Sequence, residues 1–341
     1  MNVLALLKGQ ALGVVGSLLN LAGHYEAALI ACEQALALNP RDSDASVQKA
    51  HALNLLGRYE EARAACEHTL SLNPRLDDAH YHKIYALIRL NRPEEALAAC
   101  NHLLALDPHY GRAYSYQACI FLTLYRHEDT LAACDHALAL NPDDDVAYNN
   151  RAYALERVGQ PEEALVACQR ALVLNRHNED ACVHKGDILA ALGRAEEARA
   201  CYEQALGVCE QALASNARHD MMWETKGRAL LELGCYEEAL AACEHALSLN
   251  PHNAGAYTIK GDALTQLDRH EEALAACEYA LTLTSRNDTA SATKATILHI
   301  LGRFEEALAA CEEALILNPA NDLARKNKQW ILKKRAEKEA T

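Results

Sequence analysis

The chain has 341 residues, half of them hydrophobic, and a formal net charge of −14. Residues 322–341 carry seven Lys/Arg and three Asp/Glu, so this segment has a net charge of +4 and the rest of the chain −18. Nucleic-acid-binding proteins usually present a basic surface, so the charge argues against DNA or RNA as a partner and favours basic partners. No apolar stretch of the roughly 18 residues that a membrane span needs is present, and no membrane association is expected.

The first predicted unit, residues 2–42, starts with one long helix over about 3–22. A second helix follows it and ends at Leu38-Asn39-Pro40, because the residue before a proline avoids the helical conformation. The same ending returns at 72–74, 140–142, 249–251 and 317–319. Each interval between these endings holds two apolar patterns of helical period, rich in Ala and Leu, which predicts two helices per unit.

A second phrase separates the two helices of each unit. Leu56-Gly57-Arg58-Tyr59-Glu60-Glu61-Ala62 returns in similar form at 192–198, 233–239 and 301–307. Gly23 and Gly57 are 34 residues apart, and Asn91, Tyr125, Gly159 and Gly193 continue this step. Glycine accepts the left-handed conformation that a helix C-terminus requires, so each position predicts a turn between two helices.

The periods divide the whole chain, 1–341, into one array of nine units and a final helix. Because a single hairpin cannot bury its apolar face, neighbouring units must stack. The units are approximately 2–42, 43–76, 77–110, 111–144, 145–178, 179–219, 220–253, 254–287 and 288–321, followed by a capping helix at 322–338. The sixth unit is seven residues longer, because Tyr202-Glu203-Gln204-Ala205-Leu206 is followed by a near copy at 209–213. We therefore expect its second helix to project about 10 Å further than its neighbours.

The repeat resembles the tetratricopeptide repeat family, whose period is 34 residues. The segment from Trp223 to Leu230 is similar to the family's W-x2-L-G-x2-Y motif, and Ala62-x3-Cys66 is similar to its A-x3-F motif, with Cys in place of the aromatic residue. The resemblance implies an all-α, right-handed superhelical solenoid of antiparallel hairpins, whose first helices line a concave groove where ligands usually lie.

Thirteen cysteines do not imply disulfides here. Cys32, Cys66, Cys100, Cys134 and Cys168 are 34 residues apart, and so are Cys243, Cys277 and Cys311. Equivalent points on stacked hairpins lie too far apart for a disulfide, so we predict a column of buried, reduced thiols and a cytoplasmic location. Histidines at one position beside this column, His68, His102, His136 and His245, are predicted to lie on a solvated outer face.

Signals of catalysis and of metal binding are missing from the sequence. It has no glycine-rich phosphate loop, no G-x-S-x-G, no H-E-x-x-H and no Cys-x2-Cys pair. The repeated Glu-Glu pairs are expected to start each second helix, where negative charge favours the helix dipole. We predict no enzyme activity, no cofactor and no metal site.

The candidate binding residues are those that the family phase places on the concave face, which we expect to be free of packing against other helices. Tyr and Arg are frequent in binding hot spots. In units three to five these residues are Tyr81, His82, Tyr85, Arg89, Arg112, Tyr116, Asn149, Asn150, Tyr153 and Arg157, and in the more acidic units six to eight they include Asp187, Glu224 and Asp262.

The function that the sequence favours is a non-catalytic scaffold or adaptor that binds an extended peptide or a partner helix in this groove. A regulatory or substrate-recruiting arm for an enzyme on another chain is the alternative. Partner identity, pathway and organism are not readable from the sequence. The sequence also leaves open self-association and whether the groove or the extended sixth hairpin is the main binding surface.

Overall fold

The computed structural model describes residues 3–215, 217, 219–319 and 321–339, so residue 2, with which the first predicted unit begins, lies outside the described part. Within that part the chain forms 19 α-helices and no β-strand, which confirms the predicted fold class. The helices are α1 Val3–Leu21, α2 Tyr25–Leu38, α3 Ser43–Leu55, α4 Tyr59–Leu72, α5 Asp77–Arg89, α6 Pro93–Leu106, α7 Gly111–Thr123, α8 His127–Leu140, α9 Asp145–Arg157, α10 Pro161–Leu174, α11 Glu179–Ala191, α12 Ala195–Ser215, α13 Asp220–Glu232, α14 Tyr236–Leu249, α15 Ala254–Gln266, α16 His270–Leu283, α17 Asp288–Ile300, α18 Phe304–Leu317 and α19 Asp322–Glu339.

Odd-numbered and even-numbered helices pair into hairpins, and each hairpin packs against the next along the chain. The turn inside a hairpin needs one residue with a positive φ, and Gly57, at φ 73°, supplies it without steric cost. Asn91, Tyr125 and Asp268 adopt φ values of 54°, 57° and 59° at the equivalent turn. The 34-residue step therefore holds even where glycine is replaced.

Small residues in the first helices make room for the cysteine column in the second helices. Cys32, Cys100 and Cys277 are fully buried and free, which confirms the predicted buried thiols. A Cβ atom added to Gly261 would lie 2.4 Å from Sγ of Cys277, so glycine and cysteine fit together there. The whole column, with Cys66, Cys134, Cys168, Cys243 and Cys311, is buried to the same degree.

The sixth unit differs from its neighbours in both length and packing. Helix α12 has 21 residues, against 14 in α10 and α14, and the longer second helix is confirmed. Its additional turns are packed rather than free, since Cys209 is fully buried and Glu210 forms a salt bridge of 3.3 Å with Lys226 of α13. In this unit Tyr202, only 4% exposed, takes the position that cysteine holds elsewhere.

The repeated Glu-Glu pairs occupy the first turn of the second helices, as predicted. Glu60 and Glu61 start α4, and Arg58, which precedes the helix, pairs with Glu61 at 2.7 Å. Equivalent pairs join Arg194 to Glu197 and Arg303 to Glu306. These carboxylates are therefore explained by the helix dipole and by local ion pairs.

Candidate functional site: the concave groove

An aromatic wall, which we define as His51, Tyr81, His82, Tyr85 and Tyr116, lines the groove in units two to four. The rings of Tyr81 and Tyr116 stack with centroids 5.0 Å apart, and His82 lies 4.8 Å from Tyr81 and 5.0 Å from His51. Burial and the neighbouring His51 lower the pKa of His82 to about 3, so this ring is neutral at physiological pH. Tyr81 and Tyr116 are half-buried and keep part of their surface accessible.

Residues of units two and three contact residues of unit seven across the groove. Arg89, at the end of α5, forms an ion pair with Asp220 at the start of α13, and Tyr59 donates a hydrogen bond of 3.0 Å to the same carboxylate. The hydroxyl of Tyr85 lies 3.4 Å from the sulfur of Met221. We call the contact of Tyr59, Arg89 and Asp220 the first cross-groove joint.

The second cross-groove joint repeats the first, two units further along. Arg157 at the end of α9 pairs with Asp288 at the start of α17, at 2.8 Å. The sequence separation is 131 residues in both joints. The Asp288 side chain is 2% exposed, and Asn318 and Asn321 also donate hydrogen bonds to it, at 2.8 and 3.0 Å. The common separation shows that both contacts follow from one superhelical geometry.

A third contact joins the middle of the groove to its acidic part. Arg228 of α13 forms an ion pair with Asp187 of α11 and donates a hydrogen bond of 3.3 Å to the hydroxyl of Tyr153. The ring of Tyr153 stacks on His184, with centroids 3.6 Å apart. The predicted candidates Asp187 and Tyr153 are thus brought together by Arg228.

The expectation that the concave face is free of packing is wrong at several candidate positions. Arg89 and Arg157 are engaged in ion pairs, and Tyr85 and Tyr153 contact residues of unit seven. The physical reason is the superhelix itself, because it brings units two to four places apart into contact across the groove. Sequence reasoning that considered one unit and its neighbours could not include this.

The remaining candidates are of two kinds. Asn149 and Asn150 are 9% and 6% exposed, and Asn150 donates a hydrogen bond of 3.1 Å to the backbone of Ser115 in the preceding unit. Asn150 therefore helps to stack units four and five. Arg112 is exposed at the start of α7, beside the aromatic wall.

An acidic cavity of about 210 Å³ opens between α13, α15 and α17. Glu224, Glu232 and Asp262 line it together with Arg228. Burial raises the pKa of Asp262 to about 6, against the hydrogen bond that Thr293 donates to it at 2.7 Å. Burial, followed by the charge of Asp187, raises the pKa of Glu232 to about 7. Three carboxyl side chains in this cavity thus share one cation, Arg228.

Four residues of this region were missed from the sequence. They are Tyr59, Asp220 and Asp288, which belong to the two joints, and Tyr125, whose ring centroid lies 6.0 Å from the guanidinium carbon of Arg286. The common Arg-to-Asp separation could have revealed the two joints, but only if the pitch of the superhelix had been known.

Two negative findings concern the described ranges only. They contain no group of three or more His, Cys, Asp or Glu side chains arranged to hold a metal ion. None of their helices has both the length and the apolar character that crossing a membrane demands.

The fold and the groove define a helical-repeat solenoid, and sequence comparison gives its family. Models described as tetratricopeptide repeat match residues 19–88 and 55–118, 146–178, 179–211, 224–292 and 289–321. The chain belongs to the tetratricopeptide repeat family. Comparison with curated protein sequences gave no match.

Among solved structures, the chain is similar to one in the crystal structure of the APC/C hetero-tetramer Cut9-Hcn1. The TM-score is 0.62 at 17% sequence identity, and the match covers 91% of this chain. The match spans 60% of the length of that chain. At this identity the similarity concerns the fold.

Proposed function

We propose that the protein is a non-catalytic scaffold that binds a segment of another protein against the aromatic wall. The observation that carries the proposal is the stack of Tyr81 on Tyr116, half-buried and beside the exposed Arg112. Rigid aromatic rings offer a large contact area at a small cost in conformational entropy, which makes them effective anchors. Membership of a family of helical repeats supports protein partners in general.

The partner that fits this groove is basic and extended. Asp187, Glu224 and Asp262 follow the aromatic wall along the groove, and the cavity that Glu224 and Asp262 line is lined by more carboxylates than cations. Such a surface attracts basic segments, and this attraction weakens as salt screens it. We further propose a cytoplasmic location, because thirteen free cysteines suit a reducing compartment. Neither nucleic acid nor a membrane is among the proposed partners.

The test compares two tyrosines of one helix. Tyr116 stacks within the groove, whereas Tyr114, two residues away on α7, stacks on His136 outside it at 5.2 Å. Peptides that bind the purified chain would be selected from a random phage-displayed library and their dissociation constants measured. Tyr116→Ala should weaken the selected peptides at least 10-fold, since losing an aromatic hot spot costs about 2 kcal/mol or more. Tyr114→Ala should leave affinity unchanged.

Thermal melting followed by circular dichroism controls for folding in both variants. If Tyr116→Ala melts like the unsubstituted chain and binds the peptides equally well, the aromatic wall is not the binding surface. A peptide pool without excess Lys and Arg, or affinity that does not fall with salt, would contradict the proposed basic partner.

The second candidate function is a recruiting arm for an enzyme carried on another chain. It predicts that the chain captures one enzyme from a lysate and changes that enzyme's KM for a macromolecular substrate. The non-catalytic scaffold proposed above would instead leave the kinetic constants of any enzyme that it binds unchanged.

A further inference from the structure

Two histidines face each other on the outer side of the third unit. His80 of α5 and His102 of α6 are 22 residues apart, and their ring centroids lie 5.8 Å apart. The same two positions hold ring pairs in other units, but each of those pairs contains at least one side chain that is a poor metal ligand: Tyr114 with His136, Trp223 with His245 and Tyr257 with Tyr279. Unit three thus offers two imidazoles where these units offer one or none.

The hydrogen bond of His80 fixes which of its nitrogens carries the proton. Nε2 lies 2.9 Å from the carbonyl oxygen of Pro74, and because a carbonyl only accepts, Nε2 must be the donor. Nδ1 is then an unprotonated lone pair. It is buried without a hydrogen-bond partner, in a residue that is only 3% exposed. An uncompensated buried acceptor is costly, and a bound ion is one of the few explanations for it.

The arrangement of His80 is that of a metal ligand. Imidazoles that bind metals usually donate their other N–H group to a carbonyl or carboxylate, which orients the ring and raises its basicity. With metal–nitrogen bonds of about 2.1 Å and ring radii of about 1.2 Å, two imidazoles on one tetrahedral ion have centroids about 5.3 Å apart. The observed distance of 5.8 Å between the ring centroids of His80 and His102 is within about half an ångström of this value. His102 is exposed, so its side chain can move by this amount to bind the ion.

The surroundings leave room for an ion. His80 and His102 line a cleft of about 260 Å³ together with Leu70, Pro74, Lys83 and Ala99. Lys83 pairs with Glu67 at 3.2 Å, and Arg63 shares this carboxylate at 2.9 Å.

We propose that this cleft, the histidine cleft, binds one divalent transition-metal ion of the zinc or copper class, ligated by Nδ1 of His80 and a ring nitrogen of His102, with water completing the coordination. Two neutral imidazoles are suitable ligands for these ions, whereas magnesium and calcium prefer oxygen. The two ligands come from different helices, and therefore no short spacing motif announces them in the sequence.

The test is calorimetric titration of the metal-free full chain with zinc chloride at neutral pH, followed by electron paramagnetic resonance of the copper form. We expect one tight ion per chain, and two nitrogens coupled to copper. His102→Ala should weaken zinc binding at least 10-fold and leave one coupled nitrogen. The matched control is His136→Ala, at the equivalent position 34 residues on, which should bind zinc like the unsubstituted chain.

Several results would overturn the proposal. They are the absence of zinc binding, a His102→Ala variant that binds zinc normally, and zinc lost in His51→Ala, because His51 and His82 form a separate pair in the groove with centroids 5.0 Å apart. Binding of inorganic phosphate that His102→Ala abolishes would show instead that the cleft is an anion site. Since His102 is exposed, its replacement does not threaten folding, and the result is interpretable.

Discussion

Replacing Arg89 by alanine should open the superhelix at the first cross-groove joint. The Arg89 side chain is 14% exposed and that of Asp220 is 7% exposed, so the ion pair is largely shielded from solvent. Breaking a buried pair by removing one partner costs about 3–5 kcal/mol. Tyr59 and Asn250 still donate hydrogen bonds to Asp220, at 3.0 and 2.9 Å. We therefore expect the loss to be smaller, at about 2–3 kcal/mol.

A double-mutant cycle of Arg89→Ala and Asp220→Ala, measured by urea denaturation, isolates the pair. Contacting residues show coupling energies of about 0.5–3 kcal/mol, and we expect a value in the upper half of this range. In a repeat protein each unit contacts mainly its neighbours, so a broken joint should change overall dimensions before it melts the hairpins. Small-angle X-ray scattering should show a larger maximum dimension, with the helical circular dichroism unchanged.

Acidification should also open the superhelix at the first cross-groove joint. Burial alone would raise the pKa of Asp220, but Arg89, followed by the hydrogen bonds from Asn250 and Tyr59, outweighs it and holds the pKa below its ordinary value of 3.8. A carboxylate with a lowered native pKa stabilises the closed form above its ordinary pKa and stops doing so as pH falls through the native one. The maximum dimension should therefore increase below about pH 4.

Arg92→Ala is the matched control, because Arg92 is only three residues from Arg89 but pairs locally with Glu95. It should change neither dimensions nor the position of the urea transition. Coupling below about 0.5 kcal/mol in the Arg89 and Asp220 cycle, together with unchanged scattering, would refute the joint as a structural contact.

Three further predictions concern the interior. Cys66→Ser should lower the free energy of unfolding by about 1–3 kcal/mol, because it puts a hydroxyl into an apolar seam, and Cys66→Ala should lower it less; equal urea midpoints would contradict this. Gly186→Ala should destabilise by about 1–3 kcal/mol, since its Cβ would lie 2.5 Å from the Tyr202 ring. A Cβ atom added to Gly207 would meet no atom within 4 Å, so Gly207→Ala should stabilise the protein by about 0.5–1 kcal/mol. If Gly186→Ala melted at a higher temperature than Gly207→Ala, the close packing of Gly186 against Tyr202 would be contradicted. Burial raises the pKa of Asp262 from 3.8 to about 6, so the native state loses stability as pH rises from about 4 to about 6. Asp262→Asn should thus raise Tm more at pH 8 than at pH 4.

The helices and their turns could be predicted from the sequence because their determinants are local. Gly57 marks a turn by its conformational freedom, and the seven-residue duplication in α12 keeps the apolar face aligned while lengthening the helix. Non-glycine residues at the same step, such as Tyr125 at φ 57°, were predictable only from the period. Repetition thus compensates for a weak signal at a single position.

Contacts between distant units could not be predicted in this way. Arg89 and Asp220 are 131 residues apart, and their approach depends on small rotations that add up over four units. A slight error in each rotation would separate them completely. The same limit applies to the contacts of Tyr85 and Tyr153 with unit seven, which the sequence did not indicate.

These contacts change the electrostatics of the groove that a partner would meet. Counted from the sequence, Arg89 and Arg157 make the middle of the groove basic. In the structure both guanidinium groups are engaged by Asp220 and Asp288, and Arg112 is the exposed cation beside the aromatic wall.

In the acidic cavity, Arg228 is the cation that offsets the carboxylates, and it also forms an ion pair with Asp187. The accessible groove is therefore less basic than the count of Arg89 and Arg157 suggests, and a basic partner that reaches the cavity offsets the charge of Asp187, which after burial raises the pKa of Glu232. Partner binding should accordingly strengthen as pH rises from about 6 to 8, because Asp262 and Glu232 ionise in this interval and each new charge attracts the ligand. Affinity of a selected basic peptide that is constant over this interval, in a chain that remains folded, would show that the peptide does not reach the cavity.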